Sequence, residues 1–473
     1  MNLESFLIMR HELLLTAAAL LVLVAEIFWN PTKKRSVSTF AVILFSLITA
    51  IGFLPSPTGS LFGGMYESTG IRLIMKNILN IGALLVLIQS VTWLNKEENN
   101  EKVSEYFVLL ISTLTGMNFM ISAGHFLMFY IGLELATIPL AALAAYDRYN
   151  NKSAEAGIKF ILISALSSGI LLYGLSMIYG TAGSLYFNEV ASHIRNSNLQ
   201  VLGLIFFFAG MAFKISIVPF HLWTADVYEG SPVNITSYLS VISKGAAIFI
   251  FIIVLFTVFP AMMITWQKTI YVTSILTMTV GNLFAIRQQN LKRFLAFSSI
   301  SQAGYILLGI IGGNQTGMAS VIYYILVYIF SNLGAFGVVA AISNATGKEA
   351  IDEYNGLYRT NPRLTLVMTL ALFSLAGIPP VAGFFGKFFL FTAAAERGFY
   401  LLVLIAVLNT IISLYYYLLV VKAMFINKNE SPVETFRSDF PTRLATGICV
   451  AGIIITGFAS IIFEVIRNSS SGV

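Results

Sequence analysis

The sequence predicts an all-α polytopic membrane protein of about 14 transmembrane helices, in which two inverted repeats of five helices each contain a broken helix. Three observations carry that expectation. Of 473 residues, 57% are hydrophobic and only 11% charged, whereas ordinary soluble domains carry about 25% charged residues. The apolar residues fall in runs of about 20, the length of helix that crosses a bilayer. Two of those runs are interrupted by proline in a similar way, about five spans apart, and irregular backbone at membrane depth survives only where protein or a water-filled cavity covers it.

The spans lie near 13–29, 37–54, 71–94, 106–122, 124–145, 155–180, 199–222, 232–258, 268–286, 294–312, 316–343, 363–394, 399–425 and 443–466. Arg10, His11 and Glu12 precede an apolar run to Trp29 with no small-residue cleavage site after it, so the first span reads as a retained helix rather than a signal peptide. About 16 of the 28 Lys and Arg residues fall in the odd-to-even connections, among them the KKR run at 33–35, against about six in the others. Both termini are therefore expected to face away from the cytoplasm. The expected divisions are an N-terminal three-helix segment (1–105), a first five-helix repeat (106–258), a second (268–425), and a C-terminal loop with the last helix (426–473). An odd number of spans per repeat inverts the second relative to the first.

The interrupted spans also carry charge. The seventh reads AGMAFKISIVPFHLW, with Lys214 ahead of Pro219; the twelfth reads SLAGIPPVAGFFGKFFLF, with Pro379 and Pro380 ahead of Lys387. Lys159, Lys244 and Glu134 lie within other apolar segments. An ionisable group at bilayer depth costs roughly 2.5–3.5 kcal/mol, so five of them imply a working polar path and a proton or cation translocator. Glu134 and Lys214 are expected to form a switchable pair: closed, the carboxylate holds the ammonium; open, the lysine passes its proton onward. Lys244 lies in YLSVISKGAAIF, where small residues leave room for water. His221, just after Pro219, reads either as a proton carrier or as a satisfied histidine at a helix break. Lys159 reads either as an auxiliary carrier or as a snorkelling side chain, and Lys76 and Lys422, towards span ends, are expected to snorkel. Tyr323, Tyr324 and Tyr328 form a stripe expected to pack. His125 is expected at the membrane interface.

Four segments, FYIGLELATIPLAALAAY, FKISIVPFHLWTADVYEGSP, NLKRFLAFSSISQAGY and GIPPVAGFFGKFFLF, together resemble the proton-translocating antiporter-like subunits of respiratory complex I, a likeness that runs over about residues 5 to 467. The resemblance implies Glu134 and Lys214 as the pair, Lys244 as central relay and Lys387 as terminal site. It also implies a proton channel in a membrane arm, coupled to electron transfer from NADH to quinone. In such a complex NADH, FMN, iron–sulfur clusters and quinone belong to partner subunits, the neighbours are another antiporter-like subunit and small membrane subunits, and the location is the inner (plasma) membrane of a bacterium. Gln302 stands where many members of the family carry histidine. An amide orients water but holds no charge, so passage there is expected to use ordered water held by Gln302, Ser298, Ser299, Ser301 and Tyr305.

Cofactor chemistry is not expected of this chain. Its one cysteine, Cys449, lies in the last span, it has four histidines, and it carries neither a G-x-G-x-x-G after a strand nor a G-x-x-x-x-G-K-[ST] loop. Neither a metal site nor a nucleic-acid partner is expected. Two rival readings stand beside the resemblance: a subunit of a multisubunit Na+/H+ antiporter, and a non-transporting membrane assembly scaffold.

Overall fold

A computed structural model of the protein describes residues 3–28, 34–96, 99, 102–429, 432–459 and 461–470. Trp29 and Lys33, both used in the topology reading, lie outside the described residues. Along the chain come α1 (Leu3–Ile8), α2 (Arg10–Phe28), α3 (Lys34–Gly52), a hairpin of β1 (Gly59–Leu61) and β2 (Tyr66–Ser68), α4 (Gly70–Leu94), α5 (Val103–Ile121), α6 (Phe126–Ala144), α7 (Asn151–Ala182), α8 (Phe187–His193) and α9 (Asn198–Ile215). There follow α10 (Leu222–Gly230), α11 (Val233–Tyr238), α12 (Lys244–Thr257), α13 (Met263–Ala285), α14 (Leu291–Ile311), α15 (Gln315–Thr346), α16 (Leu357–Thr360), α17 (Pro362–Ala376), α18 (Ala382–Glu396), α19 (Tyr400–Phe425), α20 (Phe440–Phe458) and α21 (Ile461–Ser469). Among the described residues, 11 helices are long and apolar enough to cross a membrane. The other expected spans correspond to α3, to α13, and to the pair α17 and α18. The last expected span, 443–466, is two elements: α20 ends at Phe458 and a short separate helix, α21, follows.

Both expected breaks are present. After α9 the chain turns at Ser216, whose φ is +65°, and resumes as α10 past Pro219. After α17 it turns at Gly377, φ +85°, and resumes as α18 past Pro379 and Pro380. Proline removes a backbone donor and clashes with the turn before it, which ends each first half-helix. At Gly377 the left-handed conformation is one that glycine adopts without steric cost.

The chain forms two compact units. One comprises Met1–Ile215, Ile242–Lys268 and Ser469–Val473; the other comprises Ser216–Val241 and Thr269–Asn468. The chain leaves the first unit at the break after Ile215 and returns within a π-helical segment, Leu239–Ser243. Compactness thus divides the chain differently from the expected repeats, since 216–241, part of the expected first repeat, packs in the second unit.

In the first unit α5 and α6 approach closely through glycine. A Cβ on Gly132 would lie 2.5 Å from the Met120 backbone nitrogen, and one on Gly116 would run into the α6 backbone. Small residues of this kind let membrane helices pack backbone to backbone. His125 is the N-cap of α6, its Nδ1 accepting from the Leu127 amide at 3.0 Å, because an N-terminal amide needs an acceptor. In the second unit α14 and α15 are buried along their length, whereas α19 and α20 expose Leu401, Leu404, Ile411 and Ile455. That outward apolar surface suits contact with lipid or with other membrane subunits.

Candidate functional site

Three helices of the first unit bring the first charged pair together. Glu134 and Thr137 lie one turn apart on α6, and Ser164 and Ser168 lie one turn apart on α7. Lys214 occupies the last turn of α9, where the carbonyl ends of a helix favour a cation. Its Nζ donates to Thr137 Oγ1 at 2.8 Å and to Ser164 Oγ at 2.6 Å. Glu134 accepts from Ser168 Oγ at 2.5 Å. The expected pair is therefore adjacent but open, with hydroxyls rather than each other as direct partners. A hydroxyl donates as well as accepts, so the groups that hold an ammonium also serve a neutral amine.

In the second unit the broken end of α17 organises the site. A helix that stops leaves its last carbonyls without intrahelical partners. Gln302 Nε2 donates to the Leu375 carbonyl at 3.0 Å, and Lys387 Nζ donates to the Ala376 carbonyl at 3.0 Å. Gly383 seats the start of α18 against Ser374, where any Cβ would strike the Ser374 carbonyl. Lys387 is 3% exposed and lies over the Tyr305 ring, 4.5 Å from its centroid.

Around Gln302 the polar groups form a network. Its Nε2 also donates to Tyr417 Oη at 3.2 Å, its Oε1 accepts from Tyr324 Oη at 2.5 Å, and Tyr417 is bonded in turn to Ser298. Tyr324 packs as expected, buried and stacked on Tyr328, and its hydroxyl in addition meets Gln302 on α14. Ser299 donates to the Ala296 carbonyl, and the buried Ser301 Oγ has no protein partner among the described residues. Tyr416 donates to Asn282 Oδ1 at 3.0 Å, and Asn282 Nδ2 reaches Tyr305 Oη at 3.4 Å. Tyr416 also lines a cavity of about 390 Å³ with Phe294 and Val420, opening among loop residues Gln289, Asp352 and Asn355.

The remaining candidates are placed differently. Lys244 is buried at the start of α12, directly after the π-helical segment, a distortion that often accompanies functional sites. His221 is buried at the start of α10, its Nδ1 without a protein partner among the described residues. Lys159 is not drawn into the Lys214 cluster; it lies on an open face of α7, 2.7 Å from Glu155 one turn earlier. Lys422 is exposed in the last turn of α19, as expected of a snorkelling lysine.

Lys76 overturns its expectation. It does not snorkel: it is fully buried and paired with Glu12 at 2.6 Å, because α2 brings a carboxylate from 64 residues away to its ammonium. The motif NLKRF and the acidic EGSP segment meet as well, Arg293 bonding Asp226 at 2.7 Å and Glu229 at 3.0 Å. Neither pairing has a local signal, since each joins residues more than 60 positions apart.

Comparison with known proteins gives the class. The signature of the NADH:quinone oxidoreductase/Mrp antiporter transmembrane family matches residues 123–413. NADH-quinone oxidoreductase subunit N of Phocaeicola vulgatus is 53% identical over 471 residues, covering 99% of this chain and 100% of the relative. The subunit of the same name from Azobacteroides pseudotrichonymphae is 51% identical, covering 100% and 99%. A chain of respiratory complex I from Thermus thermophilus with bound aureothin matches with a TM-score of 0.81 and 26% identity, over 96% of this chain and 98% of that one. A chain of the Mrp complex from Dietzia sp. DQ12-45-1b matches with a TM-score of 0.84 at 20% identity over 100% and 97%, a likeness of fold alone. Broken helices that carry lysines and these likenesses define an antiporter-like membrane subunit. The chain belongs to the NADH:quinone oxidoreductase/Mrp antiporter family and, within it, to the subunit N group.

Proposed function

We propose that this chain supplies one proton channel in the membrane arm of a bacterial NADH:quinone oxidoreductase in the plasma membrane. Electron transfer from NADH to quinone takes place in partner subunits that hold FMN, iron–sulfur clusters and quinone, and this chain binds no cofactor of its own. The observation that carries the reading is the partner set of Lys214 and Lys387. Each ammonium at a helix break is held by neutral oxygens, two hydroxyls in one case and a backbone carbonyl in the other. Losing a proton there breaks no direct bond to a carboxylate, so both lysines are suited to cycle between charged and neutral forms.

Glu134 then acts as the switch. Swinging the Lys214 amine from Ser164 towards Glu134 closes the pair and holds the proton; the open arrangement frees it for Lys244, with Lys387 as the terminal site. Gln302 keeps the polar network of the second unit continuous without carrying charge itself. His221 and Lys159 are auxiliary at most, Lys159 because Glu155 already pairs it. The two five-helix repeats, 106–258 and 268–425, each contribute one broken helix. A sodium/proton antiporter subunit is the weaker reading, because the subunit N relatives share over half the residues while the Mrp likeness is one of fold. A transport-free scaffold leaves the buried lysines without a purpose. The test is Glu134→Gln in the assembled complex in proteoliposomes: the rate of proton pumping falls while assembly holds. Pumping at the wild-type rate overturns the assignment.

A further inference from the structure

The N-terminal segment holds a cluster of buried polar groups that the path above does not use. Glu12 of α2, Tyr66 of β2 and Lys76 of α4 form a closed triangle. Lys76 Nζ donates to Glu12 Oε1 at 2.6 Å and to Tyr66 Oη at 2.9 Å, and Tyr66 donates to Glu12 Oε2 at 2.9 Å. All three side chains are at most 1% exposed. Replacing a buried ion pair by apolar residues of similar volume is often neutral or stabilising, so the fold does not require one here.

The surroundings point to a ligand, and the ligand is water. Arg72, Lys76 and Asn80 are spaced by four and share one face of α4. Asn80 is completely buried, and neither its Oδ1 nor its Nδ2 has a protein partner among the described residues. The same holds for Asn118 of α5. The end of α5 is held to α4 where Arg72 reaches the Ser122 carbonyl at 3.4 Å, and Asn118 lies one turn before Ser122 on α5. Each buried polar group left unpaired costs about 1–3 kcal/mol, so four such atoms call for several bridging waters. Lys76 has also spent only two of its three N–H donors on protein. The row runs out towards solvent through the Arg72–Glu67 ion pair, 2.9 Å, whose carboxylate is 31% exposed.

We propose that Glu12, Lys76 and Tyr66, with Asn80 and Asn118 beside them, form a second, hydrated proton-holding site, separate from Glu134 and Lys214 and reached by water from the Glu67 side. Its elementary step passes one proton from the Lys76 ammonium to the Glu12 carboxylate, giving a neutral amine and a carboxylic acid with the summed charge unchanged. Tyr66 bonds both partners before and after the step. The acid then exchanges its proton with the water beside it.

Two measurements on the intact complex test this. A high-resolution map of the unmodified complex is expected to show ordered water within hydrogen-bond distance of both Asn80 and Asn118; a dry interface overturns the proposal. Lys76→Arg keeps the ion pair but supplies a group that does not deprotonate. In proteoliposomes it is expected to assemble and to lose part of the proton-to-electron ratio, and the neutral double variant Glu12→Gln with Lys76→Met is expected to show the same loss. If either variant assembles and pumps at the wild-type ratio, the triangle is structural and the proposal fails. If neither assembles, the map decides. Both variants leave Glu134 and Lys214 intact, so failure here is distinct from failure of the main path, which Glu134→Gln reads separately.

Discussion

Gln302 and Lys387 hold neighbouring carbonyls of the same broken helix end, those of Leu375 and Ala376. An amide and an ammonium that come from different helices thus share one unfinished turn of α17. The arrangement makes Gln302 a structural partner of the lysine as well as a hydrogen-bonding bridge to Tyr417 and Tyr324.

Gln302→Leu removes the donor for Leu375 and Tyr417 and the acceptor for Tyr324. Three buried groups lose a partner, at about 1–3 kcal/mol for each one left unpaired. Turnover-linked pumping is expected to fall and thermal stability of the assembled complex to drop. Gln302→His keeps hydrogen-bonding groups at the position and is expected to support turnover. Wild-type pumping by assembled Gln302→Leu complex puts the proton route elsewhere.

Lys387→Ala leaves the Ala376 carbonyl bare and takes away the proposed terminal carrier, so pumping should fall by at least about tenfold, which corresponds to about 1.4 kcal/mol in barrier. Lys387→Arg retains the charge and a donor for that carbonyl yet does not release a proton in range. Both substitutions are expected to impair turnover in reconstituted vesicles. Recovery of full pumping with arginine identifies Lys387 as an anchor.

Ser164→Ala deletes one of the two hydroxyls that hold Lys214 away from Glu134. The expected result is a closed ion pair, N to O within hydrogen-bonding distance in a map of the variant, together with slower pumping, because the open form loses a net hydrogen bond of about 1.5–3 kcal/mol to a charged donor. An unchanged Lys214 position in that map shows that Thr137 alone suffices.

Gly132→Val tests the close approach of α5 and α6 without touching any charged group. Its Cβ meets the backbone at Met120, so the helices must separate, at a cost of about 1–3 kcal/mol. The thermal midpoint of the complex is expected to fall, and pumping per assembled complex to fall with it, because Glu134 lies two residues further along the displaced helix.

What the sequence discloses depends on how far a signal reaches along the chain. Pro219 and the Pro379–Pro380 pair act on their own turns, so both breaks are legible where they occur. Glu134, Lys214, Lys244 and Lys387 stand out because a charge amid apolar residues is anomalous by itself. Lys76 carried the same anomaly, yet its nearness to a span end offered a cheaper explanation, and only folding brings Glu12 to it. Tyr324 reads as packing because an aromatic ring is apolar; its hydroxyl partner, Gln302, comes from α14. The π-helical turn before Lys244 leaves no mark in composition, since it reflects how one residue too many is accommodated within a packed helix.

The 390 Å³ cavity behind Tyr416 has room for on the order of ten water molecules. From its wall the bonds run from Tyr416 to Asn282 and from Asn282 to Tyr305, whose ring lies beneath Lys387. The consequence is one of distance: space large enough for solvent is joined to a buried cation by three side chains in series, so a change at any one of Tyr416, Asn282 or Tyr305 is felt at both ends.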